Sequence, residues 1–423
     1  EWNHAVAAAA APDALWWRAF ASAELDVLVE RGLADNFDLA AAAARLRQAE
    51  ASARAAGAPL LPRLDGNLGA SREGRLGGDA ETAGNLYSGG LAASYEVDLW
   101  GRLSAERESA EAELAASRFD RDALRLTLSA SLTETWLRQV ALAERLRLAE
   151  LNLANAERVL ATVQARQAAG SATQLELAQQ RGLVAEQRRS REELRQQADD
   201  IRSALAVLLG QAAPAEPSNA ALTALVAPSV SAGLPSELLL RRPDLARAEA
   251  QLSAADADLR AARAAMLPRL NLSAGASGSS GGLNQVFADP IYSLAAALTA
   301  PIFDGGALAA ERDRTAARRE ELLAAYRQNI VAAFADVQVA LNAGAGVEAQ
   351  WQAQQEVQAQ AERALQLAER RYRAGAEDLL NLLDAQRTLY AAEDQSAQLR
   401  LARLQASVAL ARALGGGWQP RGE

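Results

Sequence analysis

The residues of this sequence that could do chemistry are almost all aspartate, glutamate and arginine. The 423 residues include 53 acidic side chains and 44 basic ones, every basic side chain is an arginine, and the formal net charge is −9. The acids scatter along helical segments with arginines three or four residues away, which is the spacing of ion pairs on one helix face. This spacing indicates structural ion pairs and supplies no general acid paired with a general base.

The scarcity of other reactive side chains excludes further chemistry. Cysteine is absent, and the single histidine is His4. No disulfide, cysteine-ligated zinc site, iron–sulfur cluster or thiol nucleophile can form, and a histidine-based triad would rest on one residue near the N-terminus. We predict that the protein is not an enzyme and holds no cofactor or metal. The negative charge also argues against a nucleic-acid surface.

A tandem repeat with a period of about 205 residues organises the elements that carry these side chains. Leu61-Pro62-Arg63-Leu64 recurs as Leu267-Pro268-Arg269-Leu270, and Ala169-Gly170 recurs as Ala374-Gly375. The period is far too long for a solenoid, so we interpret it as one structural unit duplicated in tandem. The predicted segments are an N-terminal segment 1–37, a first repeat 38–210, a linker 211–242, a second repeat 243–415 and a C-terminal tail 416–423.

Each repeat contains two runs in which apolar or small residues alternate with period two. The runs cover residues 64–70 and 91–99 in the first repeat, and residues 270–276 and 294–302 in the second. Glycine, serine and asparagine separate the two runs of each repeat, which is typical of a β-hairpin. The sequence therefore predicts four strands.

A long segment without proline follows each hairpin. Residues 103–169 and 307–374 carry apolar side chains in steps of four and seven, with charged flanks, as in a coiled coil. A helix of some 65 residues would be about 100 Å long. Gly170 and Gly375 predict the ends of these helices, and shorter helices return over about 174–209 and 379–414. The predicted fold is mainly α, with long antiparallel helices and a smaller β part.

Two interpretations of the strands stay open at this point. They form either a small sheet that caps a coiled coil or tilted transmembrane strands of about ten residues each. A sheet in lipid must close, and four strands are too few when known barrels start at about eight. On the membrane interpretation three chains would share one 12-stranded barrel. No uninterrupted run of 18 large apolar residues occurs, so we expect no membrane-spanning helix.

Three motifs carry a resemblance to a known family. Residues 95–103, Tyr-Glu-Val-Asp-Leu-Trp-Gly-Arg-Leu, resemble the strand-to-helix junction of the TolC-like outer-membrane efflux factors. More narrowly, they resemble the lipoprotein branch that serves RND-type pumps, the OprM/NodT group. Residues 233–244 resemble its second hallmark, in the segment joining the repeats, and residues 371–386 resemble a third. The three motifs agree in order and spacing, and the duplicated architecture covers nearly the whole chain.

The resemblance implies a homotrimer in the outer membrane of a Gram-negative bacterium. A 12-stranded transmembrane β-barrel would stand above an α-helical coiled-coil barrel in the periplasm, with residues 1–37 and 211–242 as an equatorial part. A periplasmic adaptor (membrane fusion protein) and an inner-membrane RND-type pump would complete the conduit, and this chain would conduct drugs or other small toxic compounds passively. Members of this branch are usually acylated at an N-terminal cysteine. Because cysteine is absent here, the anchor residue has been removed or replaced, or this member lacks the lipid.

The resemblance also assigns residues to a gate at the periplasmic tip. Leu380 and Asp384 match the constriction, where three copies of the acid would repel one another and attract cations. Asn381 stands where some relatives place a second acid, which argues against a double acid ring. From the residues alone, Asp384 is better explained as a first-turn acid favoured by the helix dipole.

The same comparison implies a latch and a docking site near the gate. Arg371 and Tyr372 match positions that bond across to the first repeat, with Glu176 as the expected partner. The turns around Gly170 and Gly375 would be the tips at which the adaptor docks. Without the resemblance, Arg371 and Tyr372 are equally well explained as a solvated coiled-coil charge and an aromatic of the apolar stripe.

Two other functions stay open from the sequence. The first is an exit channel of the same fold that serves type I protein secretion. The second is a soluble, structural coiled-coil protein whose strands form a cap and which can be extracted from cells without detergent.

Overall fold

The computed structural model describes Trp2 and residues 12–77, 84–233 and 235–419; His4 and Leu234 lie outside the described residues. The chain forms two compact units. The helical unit comprises Glu1–Ala41, Arg121–Pro243 and Ile330–Glu423, and the strand unit comprises Ala42–Asp120 and Asp244–Asn329.

The described residues are mostly helical, with one four-stranded sheet. In chain order the helices and strands are α1 (Ala23–Asp35), α2 (Phe37–Gly57), β1 (Arg63–Glu73), β2 (Gly84–Val97), α3 (Arg102–Ala168), α4 (Gln174–Leu208), α5 (Pro235–Arg241), α6 (Pro243–Ala264), β3 (Arg269–Ser280), β4 (Ile291–Thr299), α7 (Ala307–Arg373) and α8 (Leu379–Ala413). The two long helices, the two returning helices and the four strands are those that the sequence predicts, which confirms the mainly α fold with a β part.

Glycines end the long helices in the same way in both repeats. Gly170 follows α3 with a φ of 77°, and Gly375 follows α7 with a φ of 71°. Beyond Gly170, the N–H of Ser171 donates to the carbonyl of Arg166 at 2.8 Å, which satisfies a carbonyl that the helix leaves free. A left-handed residue is required at this position, and glycine adopts it without a steric penalty.

The sheet of the strand unit is antiparallel throughout, in the order β1-β2-β3-β4. Its register gives it two different faces. The face that we call the apolar face carries Leu64, Leu68, Leu91, Tyr95, Leu272, Leu294 and Leu298. The opposite face carries mainly serine, asparagine, alanine and glycine. Every residue of the edge strands β1 and β4 is exposed, so the two edges and most of the apolar face are exposed in the single chain.

An aspartate begins each long helix at its junction with the sheet. Asp98 accepts hydrogen bonds from the N–H of Leu103 at 3.0 Å and from the N–H and Oγ of Ser104 at 2.8 and 2.6 Å. Asp304 accepts from the N–H of Gly306 at 2.9 Å and of Leu308 at 2.8 Å. These carboxylates accept hydrogen bonds from N–H groups that have no partner within the first turn of the helix. Their negative charge also interacts favourably with the positive end of the helix dipole.

The remaining polar residues of the first junction motif also have identifiable partners. The indole Nε1 of Trp100 donates to the carbonyl of Pro268 at 2.7 Å, which joins the two repeats within the strand unit. The Arg102 guanidinium bonds to Glu96 at 2.9 Å and to Glu106 at 2.6 Å. The motif therefore fixes the direction in which the chain leaves β2 and enters α3.

Tryptophans join the leucines, valines and alanines that form the core of the helical unit. Trp16 and Trp17 are buried and pack edge to face with 6.0 Å between ring centroids. Trp136 of α3 is fully buried, and its Nε1 donates to Glu24 of α1 at 2.8 Å. The N-terminal residues from Trp16 onward thus pack against the long helix.

One helix among the described residues is apolar enough to cross a membrane by length and composition. An 18-residue window of α7 has a mean hydropathy of 1.5. The expectation of no membrane-spanning helix counted only large apolar residues, whereas alanine also raises hydropathy, so α7 meets this criterion. A single helix of this kind does not by itself indicate a membrane span, since core helices of water-soluble proteins meet the same criterion.

We expect the replacement Asp98→Ala to lower the free energy of unfolding by about 0.5–2 kcal/mol, the usual cost of losing a helix-capping acceptor. Asp98→Asn keeps an acceptor and should cost less. Thermal unfolding of the three detergent-solubilised proteins at neutral pH measures the difference. Equal stability of Asp98→Ala and the parent would contradict this role.

The stabilisation by Asp98 should depend on pH. Burial alone would raise the pKa of Asp98, but the hydrogen bonds from Ser104 and Leu103 outweigh burial and hold the pKa below its ordinary value. The stabilisation is therefore complete above the ordinary aspartate pKa of about 3.9 and is lost as the pH falls through the lower folded value. The stability difference between the parent and Asp98→Ala should be constant near neutral pH and shrink in acid.

Candidate functional site

The candidate site lies in the helical unit, where α3 ends, α4 begins, α7 ends and α8 begins. Buried apolar side chains of all four helices form one cluster there. Tyr372 at the end of α7 is 2% exposed, and Leu379, Leu382 and Leu383 at the start of α8 are equally well buried. Val163 of α3 joins the same cluster. The cluster holds the two helix turns, which we call the tips, against each other.

Arg166 of α3 makes the polar contact between the two tips. Its guanidinium carbon lies 4.5 Å from the centroid of the Tyr372 ring, within the range of a cation–π interaction. Its Nη1 also donates to the main-chain carbonyl of Tyr372 at 2.9 Å. Burial raises the pKa of the Tyr372 hydroxyl, and the positive charge of Arg166 partly offsets that rise. Arg166 of the first repeat thus contacts both the ring and the main chain of Tyr372 in the second repeat.

The two repeats use equivalent arginines differently. Arg371 occupies in the second repeat the position that Arg166 occupies in the first. Arg371 pairs with Glu377 of its own turn, with Nε 3.0 Å from the carboxylate. Ala172 stands where Glu377 would be in the first repeat, so Arg166 has no acid on its own turn and reaches across to Tyr372 instead. The asymmetry of the tips therefore depends on one alanine in place of a glutamate.

Glu176, the expected partner of Arg371 and Tyr372, stabilises the start of its own helix. The N–H of Thr173 donates to the Glu176 carboxylate at 2.5 Å, and the N–H of Glu176 donates to the hydroxyl of Thr173 at 3.1 Å. This reciprocal pair is a capping box. Glu176 is also close enough to Tyr372 for its negative charge to raise the pKa of that hydroxyl. The expected bonds across the repeats are therefore absent from the single chain: the buried Tyr372 hydroxyl has no hydrogen-bond partner, Glu176 bonds to Thr173, and Arg371 pairs with Glu377.

Leu380 and Asp384 share one exposed face of α8. Leu380 is 61% exposed although its neighbours Leu379 and Leu382 are buried, and Asp384, four residues later, is exposed as well. α8 is capped by Asp378, which accepts from the N–H of Asn381 at 3.1 Å. Asp384 is therefore the sixth residue of the helix. The helix dipole favours an acid only in the first turn, and Asp384 lies beyond that turn. The exposed face is directed away from the core of its own chain.

The glycines at the tips are exposed and open. Gly170 and Gly375 are both exposed, and a Cβ added to either would meet no atom within 4 Å. Their positive φ angles explain why glycine stands there. The turns are thus accessible in the single chain, and their role in docking an adaptor stays a prediction.

Sequence reasoning missed Arg166. The signal was present, because aligning the repeats through Gly170 and Gly375 places Arg166 opposite Arg371 and Ala172 opposite Glu377. An arginine without an acid on its own turn is free to pair with another element. The contact with Tyr372 itself depends on how the four helices pack, which the sequence does not give.

We expect a double-mutant cycle to detect the contact between Arg166 and Tyr372. Arg166→Ala and Tyr372→Leu should show a coupling free energy of about 0.5–2 kcal/mol, because each removes one half of the cation–π pair. Amide hydrogen exchange of residues at the tips measures the local stability of each variant. Arg371→Ala is the matched control, and it should show no coupling with Tyr372→Leu. Additive effects of Arg166→Ala and Tyr372→Leu would contradict the contact.

The chain matches one family model along nearly its whole length. Residues 28–211 and 234–416 match the model described as outer membrane efflux protein. The pyoverdine export outer membrane protein OpmQ of Pseudomonas putida is 52% identical over 422 residues, covering 97% of this chain and 90% of that protein. The protein of the same name from Pseudomonas aeruginosa is 50% identical over 414 residues, covering 96% of this chain and 87% of that protein.

A solved structure agrees with the fold. A crystal structure of CusC, from work on folding and transmembrane channel formation, has a TM-score of 0.90 at 30% identity and covers 99% of this chain and 97% of its own. The comparisons confirm the resemblance to the TolC-like efflux factors, the outer-membrane location in Gram-negative bacteria and the prediction that the protein is not an enzyme. They also bear out the homotrimer and its partnership with a periplasmic adaptor and an RND-type pump. The chain belongs to the outer membrane efflux protein family.

Proposed function

We propose that three copies of this chain form the exit duct of a tripartite efflux system that exports pyoverdine. The observation that carries this proposal is the 52% and 50% identity to two pyoverdine export proteins along nearly the whole chain. Drugs or other small toxic compounds, the cargo that the family resemblance implies, are the second candidate. The duct is passive, because its acids and arginines form structural ion pairs and supply no catalytic group. The pump would supply the energy for export.

The proposed division of labour follows the repeats. Residues 38–210 and 243–415 each supply one hairpin to the barrel and one helix pair to the tunnel. Residues 1–37 and 211–242 would form the equatorial part, which agrees with the burial of Trp16 and Trp17 against α3. Three chains would supply twelve strands, which is enough to close a barrel in lipid.

The tips form the proposed gate. Leu380 and Asp384 face away from the core of their own chain, and three copies of this face around an axis would form an apolar ring and an acidic ring one turn apart. Tyr372 is the centre of the latch, with Arg166 as the partner that grips it across the repeats. Glu176 and Arg371 belong to the same latch by holding their turns in shape. Adaptor binding at Gly170 and Gly375 would displace these contacts.

Export of pyoverdine can be tested in a Pseudomonas strain that lacks its own OpmQ. Expression of this chain should restore pyoverdine to the culture medium, because it is 50–52% identical to OpmQ along nearly its whole length and should work with the same adaptor and pump. The parent OpmQ is the positive control and the empty vector the negative one. Restored drug tolerance without pyoverdine export would favour the second candidate cargo. A folded trimer in the outer membrane that restores neither would contradict the efflux duct.

The gate can be tested by single-channel conductance in a planar bilayer. The parent should show a small, mostly closed pore, and Tyr372→Phe combined with Glu176→Ala should widen it. Arg166→Ala should widen it as well, because it removes both contacts between the tips. Arg189→Ala is a matched control, since Arg189 pairs with Glu193 of its own helix at 3.2 Å. It should leave the conductance unchanged.

The possible outcomes separate the channel from the latch. A pore of unchanged size in both latch variants would keep the channel and place the latch elsewhere. A large, permanently open parent pore would contradict the closed gate. Failure of well-folded protein to insert would contradict the channel itself.

A further inference from the structure

The connection between β3 and β4 folds back onto the sheet. Residues 281–290, which we call the β3–β4 loop, leave β3 after Ser280 and reach β4 at Ile291. β4 begins opposite Ser277, so the last three residues of β3 have no partner on that side. The loop crosses the sheet at this level.

Two glycines of the sheet, which have no side chain, leave room for this loop. Gly89 and Gly278 are partners in the β2–β3 register. A Cβ on Gly278 would lie 1.9 Å from the carbonyl oxygen of Val286, and a Cβ on Gly89 would lie 2.8 Å from the Phe287 ring. Contacts this close cannot form, so any larger residue at Gly278 would push the loop away. The glycines are required by the loop, and the strands alone would accept alanine, as at Ala276.

The β3–β4 loop is held in a defined conformation. The N–H of Gln285 donates to the carbonyl of Gly282 at 3.0 Å, and the N–H of Ala288 donates to the carbonyl of Gln285 at 3.0 Å. Val286 is 5% exposed beneath the loop, whereas Leu283 and Phe287 are 73% and 64% exposed. The main chain of Val286 thus lies on Gly278 and one side of the Phe287 ring lies on Gly89, while the rest of the ring and the Leu283 side chain stay exposed.

The face that the loop covers is the apolar face of the sheet. The register places Gly89 and Gly278 on the same face as Leu68 and Leu91. Tyr95 lies on this face near the helices, and Tyr87 lies on it at the level of the loop. Eight residues separate the two tyrosines, or about 27 Å of strand at 3.4 Å per residue. Outer-membrane barrels carry an outward apolar band about 25 Å tall between two aromatic girdles, so this face is the one that contacts lipid.

We propose that the β3–β4 loop is a lipid-facing clip that inserts Leu283 and Phe287 among the acyl chains of the outer leaflet. The proposed occupant follows from continuity, because the two exposed side chains extend the apolar band beside Tyr292, which is itself exposed on β4. The loop would hold the outer end of the barrel at a fixed depth. The inference depends on the outer-membrane location of the family and goes beyond the export function.

Spin labelling tests this placement directly, because the sequence has no cysteine. Phe287→Cys and Leu283→Cys are labelled with a nitroxide and reconstituted in phosphatidylethanolamine–phosphatidylglycerol vesicles. The accessibility of each label is then measured to two relaxing reagents. Oxygen concentrates among the acyl chains, and a nickel complex stays in water. Leu294→Cys, on the apolar face, is the control for lipid, and Ser273→Cys, on the opposite face, is the control for the water-filled interior.

The clip predicts that labels at Phe287 and Leu283 are accessible to oxygen and protected from nickel, like the label at Leu294. Accessibility to nickel like that of Ser273 would place the loop in water and overturn the inference. Protection from both reagents would mean that protein covers the loop, which would overturn it as well. If Leu294 itself is not accessible to oxygen, the apolar face does not contact lipid, and both the inference and the proposed barrel fail.

A separate experiment tests whether the β3–β4 loop rests on Gly278. Gly278→Ala should lift the loop and shift the Phe287 label from oxygen-accessible towards nickel-accessible. Gly66→Ala is the matched control, because its Cβ would lie 3.5 Å from Leu91, an ordinary contact. It should leave the label unchanged. An unchanged label in Gly278→Ala would show that the loop does not rest on the sheet as proposed.

Discussion

The structure depends on one constraint, which is that a backbone in hydrocarbon must form all its hydrogen bonds with protein. β1 and β4 expose their outer edges in the single chain, and most of the apolar face of the sheet is exposed as well. The sheet is therefore incomplete until other copies pair with both edges. Duplication of a hairpin gives four strands per chain, and a trimer of such chains gives enough strands for a closed barrel. The oligomer is thus required by the strands and is not an addition to a finished fold.

The two repeats are alike where they support the barrel and different where they would form the gate. Asp98 and Asp304 start the long helices in the same manner, and Gly170 and Gly375 end them with the same turn. At the tips, by contrast, Arg166 grips the second repeat while its counterpart Arg371 pairs within its own turn. Barrel closure requires equivalent hairpins, whereas a gate requires contacts that can be broken between unlike neighbours. The duplication supplies the equivalent hairpins, and single differences between the repeats, such as Ala172 in place of a glutamate, supply the contacts between unlike neighbours.

The helices and strands were predictable because their signals are local. Period-two alternation located the strands, and the proline-free segments ended by Gly170 and Gly375 located the long helices to within one or two residues. The contact of Arg166 with Tyr372 and the fold-back of the β3–β4 loop were not predicted, because both depend on which distant elements come together. The roles of Leu380 and Asp384 came from resemblance, and their exposure in the chain agrees with a surface that only other copies would cover. The cargo cannot be read from any residue of a passive duct.

The most direct test of edge closure between copies uses cysteine pairs in β1 and β4, on a chain with no cysteine of its own. Asp65→Cys on β1 is combined in turn with Ala295→Cys, Ala297→Cys and Thr299→Cys on β4, all on the face opposite the apolar one. After mild oxidation in membranes, at least one combination should yield chains linked into dimers and trimers on a denaturing gel, because β1 of one chain lies beside β4 of the next. Monomers from every combination, in protein shown to be folded and inserted, would contradict a barrel shared between chains.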